Sequence, residues 1–214
     1  MGRIICLAAG YLCGLLQTGY IYSKLHGTDI RQHGSGNSGA TNVLRVMGKK
    51  AGLIVFLGDA FKALIPCVLV RLILAGKPDY AQVAYLYALY LGFGVTLGHN
   101  FPFYMGFKGG KGVAVMAGLL ASMDWRLTLI CLVLFVGAVL ITHYVSVGSI
   151  LVALAFFGVN VYLSWKGEYG LSGPAMTEFW ILSAVVAGMA IWRHRANIKR
   201  LIHGNENMIW GKKK

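Results

Sequence analysis

The chain has 214 residues, of which 57% are apolar and only 13% charged, and its mean hydropathy is +0.65. Soluble domains carry about a quarter charged residues, so the composition excludes one and indicates a membrane protein. The net charge of +13 does not point to nucleic acid, because its basic residues flank apolar runs, where they anchor a protein against anionic lipid.

Seven apolar runs follow one another at residues 4–22, 52–74, 80–97, 113–123, 127–142, 147–165 and 179–192. Most approach the ~20 residues that cross a ~30 Å hydrocarbon core. Before the first run stands Arg3 and after it no clear cleavage site, so it reads as an uncleaved span. In the second run Asp59 and Lys62 are three apart, and we expect a buried structural pair that braces the first polar loop; Arg71 is expected to snorkel outward. The run at 113–123 is short, and Asp124, Trp125 and Arg126 separate it from the next. Burying such charges at a helix centre costs about 2.5–3.5 kcal/mol each, which predicts a hairpin turning at Asp124. Connections are short and no soluble insert intervenes, so residues 1–214 read as one domain. Cys6, Cys13, Cys67 and Cys131 all lie within apolar runs without a CxxC pair, and read as packing residues rather than disulfides or metal ligands.

The expected fold is therefore an all-α polytopic membrane protein with seven transmembrane helices. With the N-terminus outside, segments 23–51, 98–112, 143–146 and 193–214 face inward and hold fourteen of the 20 Lys and Arg, against four outside. That asymmetry obeys the positive-inside rule and makes the C-terminus cytoplasmic. Six spans would put the basic tail outside.

Three inward segments carry chemistry. The first runs from His33 through Gly34-Ser35-Gly36-Asn37-Ser38-Gly39-Ala40-Thr41-Asn42 to Arg45. Its glycines allow turns that expose successive N–H groups to an oxyanion, and Arg45 adds a bidentate donor; a plain linker would not need Asn and Thr between its glycines. The second contains Gly98-His99-Asn100-Phe101-Pro102 and then Lys108-Gly109-Gly110-Lys111-Gly112 at the start of the fourth run. Glycines and lysines at a helix N-terminus suit phosphate, although the Walker A spacing is absent. In the third, His194, Asn197 and Leu201 fall on one helical face, and Gly204-Asn205-Glu206 follows. By charge alone this last stretch equally suits an amphipathic helix on the lipid surface.

These three segments together resemble the acyl-phosphate-dependent glycerol-3-phosphate acyltransferase family of bacteria, the PlsY type, in order and over nearly the whole chain. Val115, His143 and Met208 depart from the family pattern; for Met208, Lys212 is the nearest basic residue able to reach back. The resemblance implies transfer of a fatty acyl group from acyl phosphate to the 1-hydroxyl of sn-glycerol 3-phosphate, giving lysophosphatidic acid and phosphate at the cytoplasmic face of a bacterial inner membrane. It implies no cofactor, and neither coenzyme A nor acyl carrier protein. Catalytic roles would fall to Ser35 and Arg45 on the acyl phosphate and to His194 and Asn197 on the glycerol. Substrate and phosphate binding would involve Gly36, Asn37, Thr41, Asn42, His99, Lys108, Gly109, Gly110, Lys111, Gly112 and Glu206, with the glycine-lysine stretch cradling the glycerol phosphate. His99, His194 and a substrate phosphate oxygen are all open as acceptors of the hydroxyl proton. Two rivals fare worse: CDP-alcohol phosphotransferase chemistry needs clustered aspartates, and the inward loops hold only Asp29 and Glu206; a transporter would show internal repeats and polar residues along its spans.

Overall fold

The computed structural model describes residues 1–210; Lys212, Lys213 and Lys214, counted above in the charge asymmetry, lie outside the described residues. Those residues form helices α1 (Gly2–Gly14), α2 (Thr18–Leu25), α3 (Ala40–Met47), α4 (Lys49–Ala75), α5 (Ala84–Asn100), α6 (Val113–Met123), α7 (Trp125–Thr142), α8 (Val145–Trp165), α9 (Gly173–Arg193) and α10 (Arg195–Ile202), with no strand among them. Six stretches are long and apolar enough to cross a bilayer: Gly2–Leu25, Lys49–Ala75, Ala81–Met105, Trp125–Thr142, Val145–Trp165 and Gly173–Arg193. The protein is an all-helical, multi-pass membrane protein. Where seven spans were expected, α6 has 11 residues, or ~16 Å of helix, about half a bilayer core.

The helix ends gather into two poles. At one, Arg3 makes two bonds to Glu178 (2.6 and 2.8 Å), and Arg126 joins Asp124 and Glu168. At the other lie the loop before α3, the loop before α6, the α7–α8 turn and α10. The hairpin expected at Asp124 is present: its carboxylate caps α7 by accepting from the N–H groups of Arg126 and Leu127, and Arg126 holds it below the usual carboxylate range. Arg71 reaches toward the Asp124 pole and ends on protein groups there. Its guanidinium donates to the Met123 carbonyl at 2.9 Å and to the Tyr85 hydroxyl, so it satisfies one of the carbonyls that the short α6 leaves unpaired at its C-terminus. At its other end α6 starts deep, because Gly112 lies against the side chains of Asn100 and Thr96 in the last turns of α5. The loop before α6 thus turns back into the protein, and irregular backbone at that depth is tolerated only where protein or a cavity surrounds it.

The closest helix pair is α1 with α5. Gly10 and Gly14 face the carbonyls of Leu91 and Val95, while Gly94 and Gly98 face those of Leu7 and Tyr11, leaving no room for a Cβ at any of the four. Two small-xxx-small stripes interlock, the arrangement that lets backbones touch in lipid. The first apolar run is not one helix: it breaks at Leu15–Gln17, where the buried Gln17 amide donates to the carbonyls of Gly14, Gly98 and His99. A polar side chain thereby replaces the bonds that the break removes.

Gly94→Val should lower stability in detergent by about 1–3 kcal/mol through overpacking, whereas Gly137→Val, where a Cβ would meet nothing within 4 Å, should leave the melting temperature within a degree or two of the parent. Equal effects at the two positions would refute the interlock.

Candidate active site

The three polar segments meet at one cavity of about 360 Å³. Gly34 and Gly36 in the first loop adopt φ of +61° and +71°, a region open chiefly to glycine. The turn they make is locked by Asn42, whose amide donates to the Ile30 and His33 carbonyls and whose oxygen accepts from the Ser35 N–H at 2.8 Å. Asn37 accepts from the Gly39 N–H and donates to the Gly109 carbonyl, tying the first loop to the second. The N–H groups of Ala40 and Thr41, at the N-terminus of α3, have no partner among the described residues. Arg45, on the last turn of α3, donates to the Asn207 carbonyl at 3.2 Å.

In the second segment the Gly109 and Gly110 N–H groups return to the carbonyls of Asn100 and His99. Both glycines press on His99 so closely that neither has space for a Cβ. Lys111 and Gly112 lead into α6, whose first residues Val113 and Ala114 line the cavity. The Lys111 ammonium donates to the Asn197 oxygen at 2.5 Å; the Asn197 amide donates to Glu206 at 2.7 Å; and Glu206 also accepts from Arg200 and from Ser146. Glu206 is 3% exposed. Burial, followed by the charge of Arg200, lowers the Lys111 pKa to about 8. His194 is pushed down to about 4, mainly by burial, and is neutral at pH 7.

The two histidines are in different tautomers, assigned from their partners. Lys62 Nζ donates to the Leu16 carbonyl, to Asp59 at 2.8 Å and to His99 Nδ1 at 2.9 Å. With Nδ1 accepting, His99 carries its proton on Nε2. His194 Nδ1 lies 2.8 Å from the Ala190 carbonyl and must donate, which leaves Nε2 as an acceptor. The Asp59–Lys62 pair is buried as expected, but it braces the α1–α2 break and His99, with Thr18 as a further donor to Asp59; the first loop is braced instead by its own Asn42.

Of the residues singled out from sequence, Ser35, Asn37, Thr41, Asn42, Arg45, His99, Lys111, Gly112, His194, Asn197 and Glu206 line the cavity. Gly109 and Gly110 are buried outside its lining, and Gly36 and Lys108 are exposed outside it. Val115 is buried in the core, while the His143 carbonyl accepts from the Ile209 N–H, one residue past Met208. Lys212 is outside the described residues. Sequence reasoning passed over Asp59 as a cavity residue, Arg200, Ser146 and above all Arg193, whose guanidinium donates to the Gly109 and Gly110 carbonyls at 3.0 and 2.7 Å. Leu53 and Phe56 of α4, Phe135 of α7 and Val145 of α8 give the cavity an apolar wall.

A cavity with two helix N-termini, basic side chains and an apolar wall, set in a multi-pass bundle, defines the class as an integral-membrane protein with a candidate active site. Residues 4–204 match the family model described as glycerol-3-phosphate acyltransferase. The chain is 39% identical over 212 residues to the glycerol-3-phosphate acyltransferase of Halalkalibacterium halodurans, covering 98% of this chain and 96% of that one. It is also similar to crystal structures of PlsY (YgiH), an integral membrane glycerol 3-phosphate acyltransferase, at 32% identity. The glycerol 3-phosphate form superposes with a TM-score of 0.82, covering 99% of this chain and 96% of that one. For the lysophosphatidic acid form the values are 0.79, 97% and 95%. The chain belongs to the glycerol-3-phosphate acyltransferase family and is a membrane acyltransferase.

Asp59→Leu strands the Lys62 ammonium in a buried site and should destabilise the protein by about 3–5 kcal/mol, more than the double variant Asp59→Leu/Lys62→Met, which removes both charges. Thermal unfolding in detergent reads the order, and a double variant less stable than the single one would contradict it.

Proposed function

We propose that the chain, as one domain, transfers a fatty acyl group from acyl phosphate to the 1-hydroxyl of sn-glycerol 3-phosphate, releasing lysophosphatidic acid and inorganic phosphate. The observation that carries this reading is a single cavity with two helix N-termini and the basic side chains of Arg45 and Lys111 beside an apolar wall, which suits one phosphate attached to a lipid chain and a second phosphate arriving from water. In this reading Ser35, Arg45 and the α3 N-terminus hold the acyl phosphate, and Lys111, Gly112 and the α6 N-terminus hold glycerol 3-phosphate. Asn197 and Glu206 keep the Lys111 ammonium in place.

The hydroxyl oxygen attacks the acyl carbon, the bond from that carbon to the phosphate oxygen breaks, and phosphate leaves. Charge building on that phosphate is met by Arg45 and by α3 N–H groups already in position. His99 is a poor acceptor for the hydroxyl proton, because Lys62 fills its Nδ1 and its Nε2 is protonated. His194 has a free Nε2 but, with a pKa of about 4, is a weak base at neutral pH. A phosphate oxygen, whose second pKa in phosphate monoesters is about 6, is the stronger base, so the proton goes to a substrate phosphate oxygen and His194 orients the hydroxyl.

We place the site on the cytoplasmic face of a bacterial inner membrane, with α6 as a short seventh crossing, the N-terminus outside and the C-terminus inside. The positive-inside asymmetry supports this, as does the grouping of the α6 C-terminus with the pole opposite the cavity.

Purified protein supplied with acyl phosphate and labelled glycerol 3-phosphate, without metal or coenzyme A, should form labelled lysophosphatidic acid, and acyl-coenzyme A should not replace the donor. Absence of product with acyl phosphate would overturn the reading. Phosphate binding needs the protonated Lys111, and this amine loses its proton as pH rises through about 8. Affinity for glycerol 3-phosphate should therefore hold up to about pH 8 and fall above it, and Lys111→Arg, which stays charged, should flatten that limb. A parent profile flat to pH 9.5 would remove Lys111 from the phosphate site.

A further inference from the structure

Arg193 is the one guanidinium whose bonds run to the back of the second polar loop. It ends α9, lies over the Phe101 ring at 5.2 Å, and donates from one nitrogen to both the Gly109 and Gly110 carbonyls. It is not among the cavity-lining residues, so it acts from behind.

A trans peptide unit points its C=O and the following N–H in opposite directions, and no peptide bond here is cis. With the Gly109 carbonyl drawn to Arg193, the Gly110 N–H must face the other way, where it finds the His99 carbonyl at 3.1 Å. With the Gly110 carbonyl drawn to Arg193, the Lys111 N–H is turned the same way. That N–H and the Gly112 N–H have no acceptor among the described residues, and both residues line the cavity.

We infer that Arg193 is a positioning residue: by holding the Gly110 carbonyl it sets the Gly110–Lys111 peptide plane so that the Lys111 N–H, beside the Gly112 N–H that follows, meets a phosphate oxyanion. Without it the Gly109–Gly110 peptide keeps its bonds to Asn37 and His99, but the Gly110 carbonyl loses its partner and can turn toward the cavity and repel the anion. The assignment to glycerol 3-phosphate rests on the proposed function above; the anion-binding form of the loop does not.

Two probes keep those apart. Inorganic phosphate binding, measured by calorimetry without turnover, tests the loop; steady-state kinetics with glycerol 3-phosphate tests the substrate. Arg193→Lys keeps the charge but is shorter and loses the planar guanidinium that lies over Phe101 and aims one nitrogen at both carbonyls. It should raise the phosphate Kd roughly 10- to 100-fold, the scale of losing a pair of charge-assisted bonds. The KM for glycerol 3-phosphate should rise in parallel, with kcat and the KM for acyl phosphate within about threefold.

Arg193→Gln adds a readout that a merely structural role would not move. The charged groups around Lys111 are Arg45, Arg193, Arg200 and Glu206. Removing one cation should shift the alkaline loss of phosphate affinity to higher pH, whereas Arg193→Lys should leave its midpoint in place. Phosphate binding unchanged in Arg193→Lys overturns the inference, as does a fall in kcat with both KM values steady. Weakened phosphate binding with no effect on glycerol 3-phosphate kinetics upholds the role of Arg193 and overturns only the substrate assignment.

Discussion

A single ammonium group buried where α1 breaks into α2 carries much of the molecule's order. Lys62 meets a main-chain carbonyl from the first span, a carboxylate on its own helix and an imidazole on α5, so each of its three protons has a partner. Because all three acceptors are used, the position of α1 against α4 and α5 and the tautomer of His99 are fixed together. In a low-dielectric interior an unmet proton on such a group would be costly, so these contacts form together or not at all. The glycine stripes of α1 and α5 bring the backbones close enough for this, and Gln17 ties the Gly14 carbonyl at the break to the Gly98 and His99 carbonyls at the end of α5.

The second constraint is length. A helix of 11 residues is too short for a bilayer core, and the protein compensates from both ends. Arg71 descends from α4 to the last carbonyl, while the glycine-lysine loop climbs back toward α5 before α6 begins. The result places a helix N-terminus below the level of the loops, where water is scarce and an unpaired N–H group attracts an anion strongly.

Much of this was legible in the sequence. The apolar runs, the turn at Asp124 and the convergence of three polar segments all follow from hydropathy, charge and glycine content, because those quantities act locally along the chain. What escaped depends on contacts across the fold. Gln17 looks like an incidental polar residue in an apolar run until its three carbonyls are seen. Arg71 was expected to reach outward, but the sequence does not announce that α6 ends beside it and supplies the Met123 carbonyl as its partner. Arg193 was counted as one more basic residue of the tail; its position immediately before His194 was the only signal available. Asp59 and Lys62 were expected to pair, but periodicity could not tell which loop they would brace. Gly109 and Gly110 were expected to offer their N–H groups to phosphate, and instead return them to α5, leaving the N–H groups of the next two residues without an acceptor among the described residues.

The cavity also sorts charge. Two carboxylates line it, and both are already engaged: Asp59 with Lys62 and Thr18, Glu206 with Arg200, Asn197 and Ser146. An ammonium group entering the cavity therefore finds, among the described residues, no unengaged carboxylate, only helix N-termini and fixed cations of its own sign. The pairing that steadies the basic side chains thus also makes the cavity selective against a zwitterion's amine.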